Sequence, residues 1–205
     1  MKVIEALFKS KLFILFLLAL QAILIVFGGF QGGFDANPVE YVQLQTGEAT
    51  LRLLLVALWI SPLRVLFPKA KLLKLLLGHR RWIGVGCFVY AVLHLSIYLL
   101  DYTTLEEMLK NFTRYFIISG SLAFLILFSL AATSSNWMVK KLGIKKWKNL
   151  HRLVYLAAFL VFLHMFAKEK SNILLTFLYF VPLALAEAYR LYALWQKSHR
   201  KLSTS

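Results

Sequence analysis

Apolar residues fall in six stretches of about 20 residues each, the length a helix needs to cross a bilayer, with charged clusters between them. The stretches cover roughly 11–30, 50–67, 82–100, 115–135, 150–167 and 173–193. A run of 18 or more apolar residues spans the hydrocarbon core as a helix. The pattern predicts an all-α integral membrane protein, a six-helix transmembrane bundle forming one domain over 1–205.

The first stretch, Leu12 to Phe30, is too long for a secretory signal and is followed by no small-residue cleavage site. Gly28-Gly29-Phe30-Gln31-Gly32-Gly33 reads as the end of a span and a turn. Pro62 near the inner end of span two and Pro182 in span six are candidate kinks, which membrane helices tolerate when neighbours satisfy the freed carbonyl. The segment from Asn37 to Glu48 is either a short surface helix ended by Gly47 or a plain connector. No low-complexity segment or internal repeat is evident.

Composition agrees with the spans: 60% of residues are apolar and only 16% charged. A net charge of +15 often signals nucleic acid, but its placement argues for no nucleic-acid partner. Lys69, Lys71, Lys74, Arg80 and Arg81 follow span two, and Lys140, Lys141, Lys145, Lys146, Lys148 and Arg152 follow span four. Lys2, Lys9 and Lys11 open the chain, and Arg190, Lys197, Arg200 and Lys201 close it. The alternate loops differ: Asp35, Glu40 and Glu48 stand alone in the first, and Asp101, Glu106 and Glu107 outnumber Lys110 and Arg114 in the second. Basic loops stay in the cytoplasm, so both termini are predicted to be cytoplasmic. The basic clusters then have anionic membrane lipids as partners. Cys87 is the only cysteine, which excludes an intrachain disulfide, covalent c-type haem and a four-cysteine cluster.

Ionisable residues inside a span are costly, and each is a functional hypothesis. His94 and His164 are intramembrane, and His151 lies at the inner end of span five; His79 precedes span three and His199 is in the tail. Spans three and five both run from inside to outside. His94 and His164 each lie about 12 to 14 residues in, at matched depths of roughly 20 Å. Two imidazoles at one depth on different helices suit bis-histidine ligation of b-type haem. Small residues precede them on one helix face: Gly84, Cys87 and Ala91 before His94, and Ala157 before His164. Such stripes leave a groove for a flat cofactor or simply let helices pack closely.

His151 lies about 20 Å inward of His164 on the same helix, which suits a second haem. Thirteen residues at about 100° leave the two imidazoles roughly 140° apart around an ideal helix. No obvious histidine partner exists for His151. His79, Arg80 and Arg81 lie at its depth, and the arginines suit pairing with haem propionates. The competing reading is a transporter or proton carrier with a histidine relay and no haem. Against it, spans three to five hold no Asp or Glu; Glu187 sits near the inner surface, and Gln21 is the other mid-depth polar residue. A third reading is a structural anchor for a partner.

Certain stretches carry a family resemblance. They are Asn37-Pro38-Val39 through Thr46-Gly47 into Ser61-Pro62-Leu63-Arg64, Arg80-Arg81 through Gly84 to Leu93-His94-Leu95, and Leu142-Gly143 with Trp147, Leu150 to Tyr155 and His164. Over nearly its whole length the chain resembles the MsrQ (YedZ) family, haem-binding membrane subunits of the bacterial protein-methionine-sulfoxide reductase system within the ferric-reductase-like transmembrane superfamily. The resemblance implies haem iron on His94, His151 and His164, with one or two b-type haems, and associates FMN with the family. It implies electrons arriving from quinone or a cytoplasmic flavin reductase. They leave across the bacterial inner membrane to a periplasmic molybdopterin methionine sulfoxide reductase. The chain would then be an electron-transfer subunit rather than the catalytic one. Four-histidine members of the superfamily carry a second histidine in span three, 13 or 14 residues before the first; here Arg81 and Arg80 stand there. No Gly-rich dinucleotide motif follows span six, which implies a separate electron donor.

Overall fold

Asn37 and Pro38 explain the largest departure from the expected boundaries. The computed structural model describes residues 10–31, 37–101, 104–168 and 172–203. Asn37 caps a helix there: its side-chain oxygen accepts the amide hydrogens of Val39 at 3.0 Å and Glu40 at 3.4 Å, and Pro38 takes the first helical position. The helix then runs unbroken to Leu66. Residues 37–48 are therefore neither a separate surface helix nor a connector, and Gly47 lies mid-helix.

Among the described residues the elements are all helices: α1 Lys11–Phe30, α2 Pro38–Leu66, α3 Lys71–Leu100, α4 Leu105–Phe112, α5 Tyr115–Ala132, α6 Asn136–Leu142, α7 Ile144–His151, α8 Leu153–Phe166 and α9 Ile173–Ser203. Six spans are long and apolar enough to cross a membrane, with α7 and α8 together making the fifth. The six-span expectation thus holds, with shifted ends. Helix α3 starts at Lys71 rather than near 82, so the basic segment carrying His79, Arg80 and Arg81 is helical. Pro62 and Pro182 sit inside α2 and α9 without ending them. The expectations for Lys2, Lys9, Asp35 and Gly32-Gly33 lie outside the described residues.

Helices α2 and α3 pack along much of their length, as do α5 and α8, and α9 closes against α2 and α8. The two pairs meet over a shorter seam between α3 and α5. A common core joins Leu51, Leu54 and Leu58 of α2 with Cys87 and Ala91 of α3, Leu127 of α5 and Ala157 of α8. Small side chains there let helix backbones approach, which is how membrane helices associate without a hydrophobic driving force between them. The Cys87 thiol reaches the Thr50 carbonyl at 3.3 Å. Cys87, Ala91 and Ala157 therefore serve helix packing rather than a groove; only Gly84 keeps open space beside it. Helix α1 lies outside this core, held where the Tyr90 hydroxyl donates to the Leu18 carbonyl at 2.6 Å. Arg52, inside α2, is balanced by an ion pair with Glu48 one turn away.

Gly143 joins α6 to α7 at φ 75° and ψ 150°, a conformation that L side chains rarely adopt. A methyl group there would meet nothing within 4 Å, so its cost is conformational alone. Gly143→Ala is expected to destabilise the protein by about 1–3 kcal/mol. Thermal unfolding in detergent checks this; an unchanged midpoint would show that the turn relaxes freely.

Candidate functional site

His94 on α3 and His164 on α8 face one another across the two helix pairs. Their ring centres are 6.4 Å apart and their planes are perpendicular at 89°. Two imidazoles bonded to opposite sides of one metal ion at about 2.0 Å hold their centres about 6 Å apart, so the spacing fits an axial pair. Each ring is fixed through Nδ1. His94 Nδ1 lies 2.9 Å from the Gln43 carbonyl oxygen, and His164 Nδ1 lies 2.6 Å from that of Phe116. A carbonyl can only accept, so Nδ1 carries the proton and Nε2 keeps its lone pair. Metal-ligating histidines show this arrangement: the second nitrogen donates to a carbonyl, fixing tautomer and ring direction.

The seat beneath each ring is built twice from the same chemistry. On α2, Gly47 lies under His94; a Cβ there would sit 3.0 Å from its Cε1 and 3.1 Å from its Nδ1. On α5, Gly120 lies under His164, and a Cβ would sit 2.6 Å from its Nδ1. The accepting carbonyls, Gln43 and Phe116, are each four residues before the glycine. A hydroxyl residue directly precedes each glycine and donates to the same carbonyl: Thr46 to Gln43 at 3.0 Å, and Ser119 to Phe116 at 3.0 Å.

The correspondence continues toward the basic end. Fourteen residues after Gly47, Ser61 accepts from Arg80 at 2.7 Å, and Arg80 is itself fourteen residues before His94. Thirteen residues after Gly120, Thr133 meets His151 at 3.2 Å, and His151 is thirteen before His164. The two helix pairs therefore correspond at these positions, with Arg80 in the place that matches His151.

His151 is held differently from the other two. Its ring stacks on Trp147, with centres 4.0 Å apart, and Trp147 Nε1 donates to the Thr133 carbonyl at 2.9 Å. The Thr133 hydroxyl donates to the Ser129 carbonyl at 2.7 Å, so it accepts from His151 Nε2. Ligation through Nε2 requires the ring to leave Thr133. The helix tightens at Arg152, whose amide bonds to both Lys148 and Asn149, and each residue of such a turn adds about 20° to the ideal rotation. That brings the two imidazoles of this span nearer one seam.

No second histidine stands against His151 among the described contacts. His79 is buried, and among the described residues its Nδ1 has no hydrogen-bond partner. Arg81 donates to Asn136 of α6 at 2.7 Å, joining α3 to the second pair, and the charges of Arg80 and Arg81 act on His151. Among the described residues no group of three or more His, Cys, Asp or Glu forms a metal cluster.

The carbonyls of Gln43 and Phe116 and the two glycines escape sequence reasoning based on ionisable side chains. The available signal was a hydroxyl–glycine pair in each of two helices, Thr46-Gly47 and Ser119-Gly120, where glycine otherwise costs about 1 kcal/mol relative to alanine.

The chain matches the family model described as ferric reductase like transmembrane component over residues 46–162, from just before Gly47 to just before His164. It is also similar to curated proteins named protein-methionine-sulfoxide reductase heme-binding subunit MsrQ. The one from Polaromonas naphthalenivorans is 34% identical, covering 88% of this chain and 83% of the relative. The one from Herminiimonas arsenicoxydans is 43% identical, covering 77% and 71%. That of Yersinia enterocolitica is 35% identical over 84% and 86%. No solved structure matches the chain. A family match over more than half of the chain, with such relatives along most of both lengths, settles its kinship: this multi-pass membrane protein belongs to the ferric reductase like transmembrane family and, within it, to the MsrQ family.

Proposed function

We propose that the chain is a b-type haem membrane subunit that carries electrons across the bacterial inner membrane to a periplasmic molybdopterin enzyme reducing methionine sulfoxide in proteins. The His94–His164 pair supports this most directly: two imidazoles across a helix seam, each with Nδ1 bonded and Nε2 free to ligate. The relatives' names, which specify a heme-binding subunit of a methionine sulfoxide reductase, point the same way.

His94 and His164 would hold the haem through Nε2, and their carbonyl bonds stop either ring from turning away. When bound, haem supplies a one-electron ferric/ferrous couple whose potential its axial ligands set. Each sulfoxide reduced to sulfide takes two electrons and two protons and releases water, so the conduit delivers single electrons twice per turnover. His151, freed from Thr133, marks a second haem position near the basic end. Arg80 and Arg81 suit the propionates of that group, since guanidinium pairs bidentately with carboxylates. Basic loops face the cytoplasm, which puts both termini and His151 on the side of a quinone or cytoplasmic flavin reductase donor. His94 and His164 then lie toward the acceptor.

Protein purified from cells supplied with haem is expected to show a Soret band and one to two haems per chain by the pyridine haemochrome assay. His151→Ala should keep the low-spin haem held by His94 and His164. A preparation without a Soret band, or one whose low-spin signal vanishes with His151, would overturn this assignment.

A further inference from the structure

We propose that Thr46-Gly47 and Ser119-Gly120 are positioning residues that tune the iron through the histidine resting on each, an inference that rests on haem binding by His94 and His164. In this arrangement the glycine sets how closely a ring approaches the carbonyl four residues before it. The hydroxyl sets how strongly that carbonyl accepts.

The glycines act by absence of a side chain. Each imidazole lies so near the helix backbone that a methyl group would meet it at 2.6 Å over Gly120 and 3.0 Å over Gly47. The first distance forces a displacement; the second requires a few tenths of an ångström. A displaced ring lengthens or loses its Nδ1–H bond to the carbonyl. That bond raises the basicity of the ligating nitrogen and so stabilises ferric iron. Its loss therefore moves the midpoint potential upward.

The hydroxyls act on the same bond with the opposite sign. Phe116 O accepts from both His164 Nδ1 at 2.6 Å and Ser119 Oγ at 3.0 Å, and Gln43 O accepts from both His94 and Thr46. Two donors on one carbonyl oxygen share its lone pairs. Removing the Ser119 hydroxyl leaves the oxygen to His164 and to its own helical backbone partner, takes away one competing donor, strengthens the imidazole N–H bond and moves the potential downward. Thr46 also donates to Val42 O at 2.8 Å, so the Ser119 substitution is the cleaner of the two.

The occurrence of the same device on both sides of the pair separates this role from chance packing. Gly78 on α3 provides the contrast: it is exposed, and a Cβ there meets nothing within 4 Å.

Redox titration and low-temperature electron paramagnetic resonance of haem-loaded protein test the inference. Wild type without haem would sink the proposed function before the inference is reached. With haem present, Gly120→Ala is expected to raise the midpoint potential and shift the low-spin signal, and Gly47→Ala to do so less. Ser119→Ala is expected to lower the potential, and Gly78→Ala to leave it unchanged. Ser119→Ala removes one oxygen atom and adds no bulk, so it remains informative if Gly120→Ala does not fold. A potential unmoved by Ser119→Ala, or moved upward by it, overturns the inference. So does a larger shift from Gly47→Ala than from Gly120→Ala.

Discussion

His94→Ala and His164→Ala are each expected to remove the low-spin haem signal, lowering low-spin haem per chain by more than about tenfold. Even an outer-shell partner of a metal ligand is worth 10–100-fold in affinity, and an axial ligand is worth at least that. The fold tolerates both changes. In each case the carbonyl that loses its imidazole keeps another donor, Thr46 for Gln43 and Ser119 for Phe116, so no orphaned acceptor is left. Neither histidine belongs to the leucine-rich core of the bundle. The measurement is the visible and electron paramagnetic resonance spectrum of each purified variant, beside its elution from a sizing column. A variant that keeps the wild-type low-spin spectrum would show that the corresponding histidine is not an axial ligand.

Glu187→Leu is expected to destabilise the bundle by about 3 kcal/mol, the lower end of the cost of removing one partner from a buried ion pair. Glu187 and Arg190 lie one turn apart on α9, with Arg190 Nε 2.6 Å from Glu187 Oε2 and side chains only 13% and 20% exposed. Arg190 also donates to the Tyr155 hydroxyl at 2.9 Å, which ties α9 to α8 just beyond His151. Losing Glu187 leaves a largely covered guanidinium with a phenol as its remaining polar contact among these residues. Replacing both partners with leucine removes the charge as well as the pair, so the double variant should regain most of the lost stability. Thermal unfolding in detergent reads the effect. Equal losses in the single and double variants would show that the pair itself, rather than the stranded charge, carries the stability.

The histidines were legible because ionisable groups are rare in apolar spans, and their matched depth follows from counting residues along two helices of the same direction. Helix ends were less legible. Asn37-Pro38 is a strong start signal, but Gly47 reads as a stop when nothing is known of the ring that rests on it. The small stripe of Cys87 and Ala91 left a groove and close helix packing both open, and the structure packs leucines from α2 against it. Periodicity marks which residues share a face but not what packs against that face.

By itself, the sequence determined the class of protein, the number of spans and which histidines lie within them, because hydrophobic length and the cost of buried charge are local properties of the chain. Only the tertiary structure decided how those residues are held. The carbonyls that orient His94 and His164 belong to Gln43 and Phe116, 51 and 48 residues away in sequence. Backbone oxygens are chemically the same at every position, so no residue code marks the two that matter. Helix packing chooses them by bringing Gly47 and Gly120 beneath the rings.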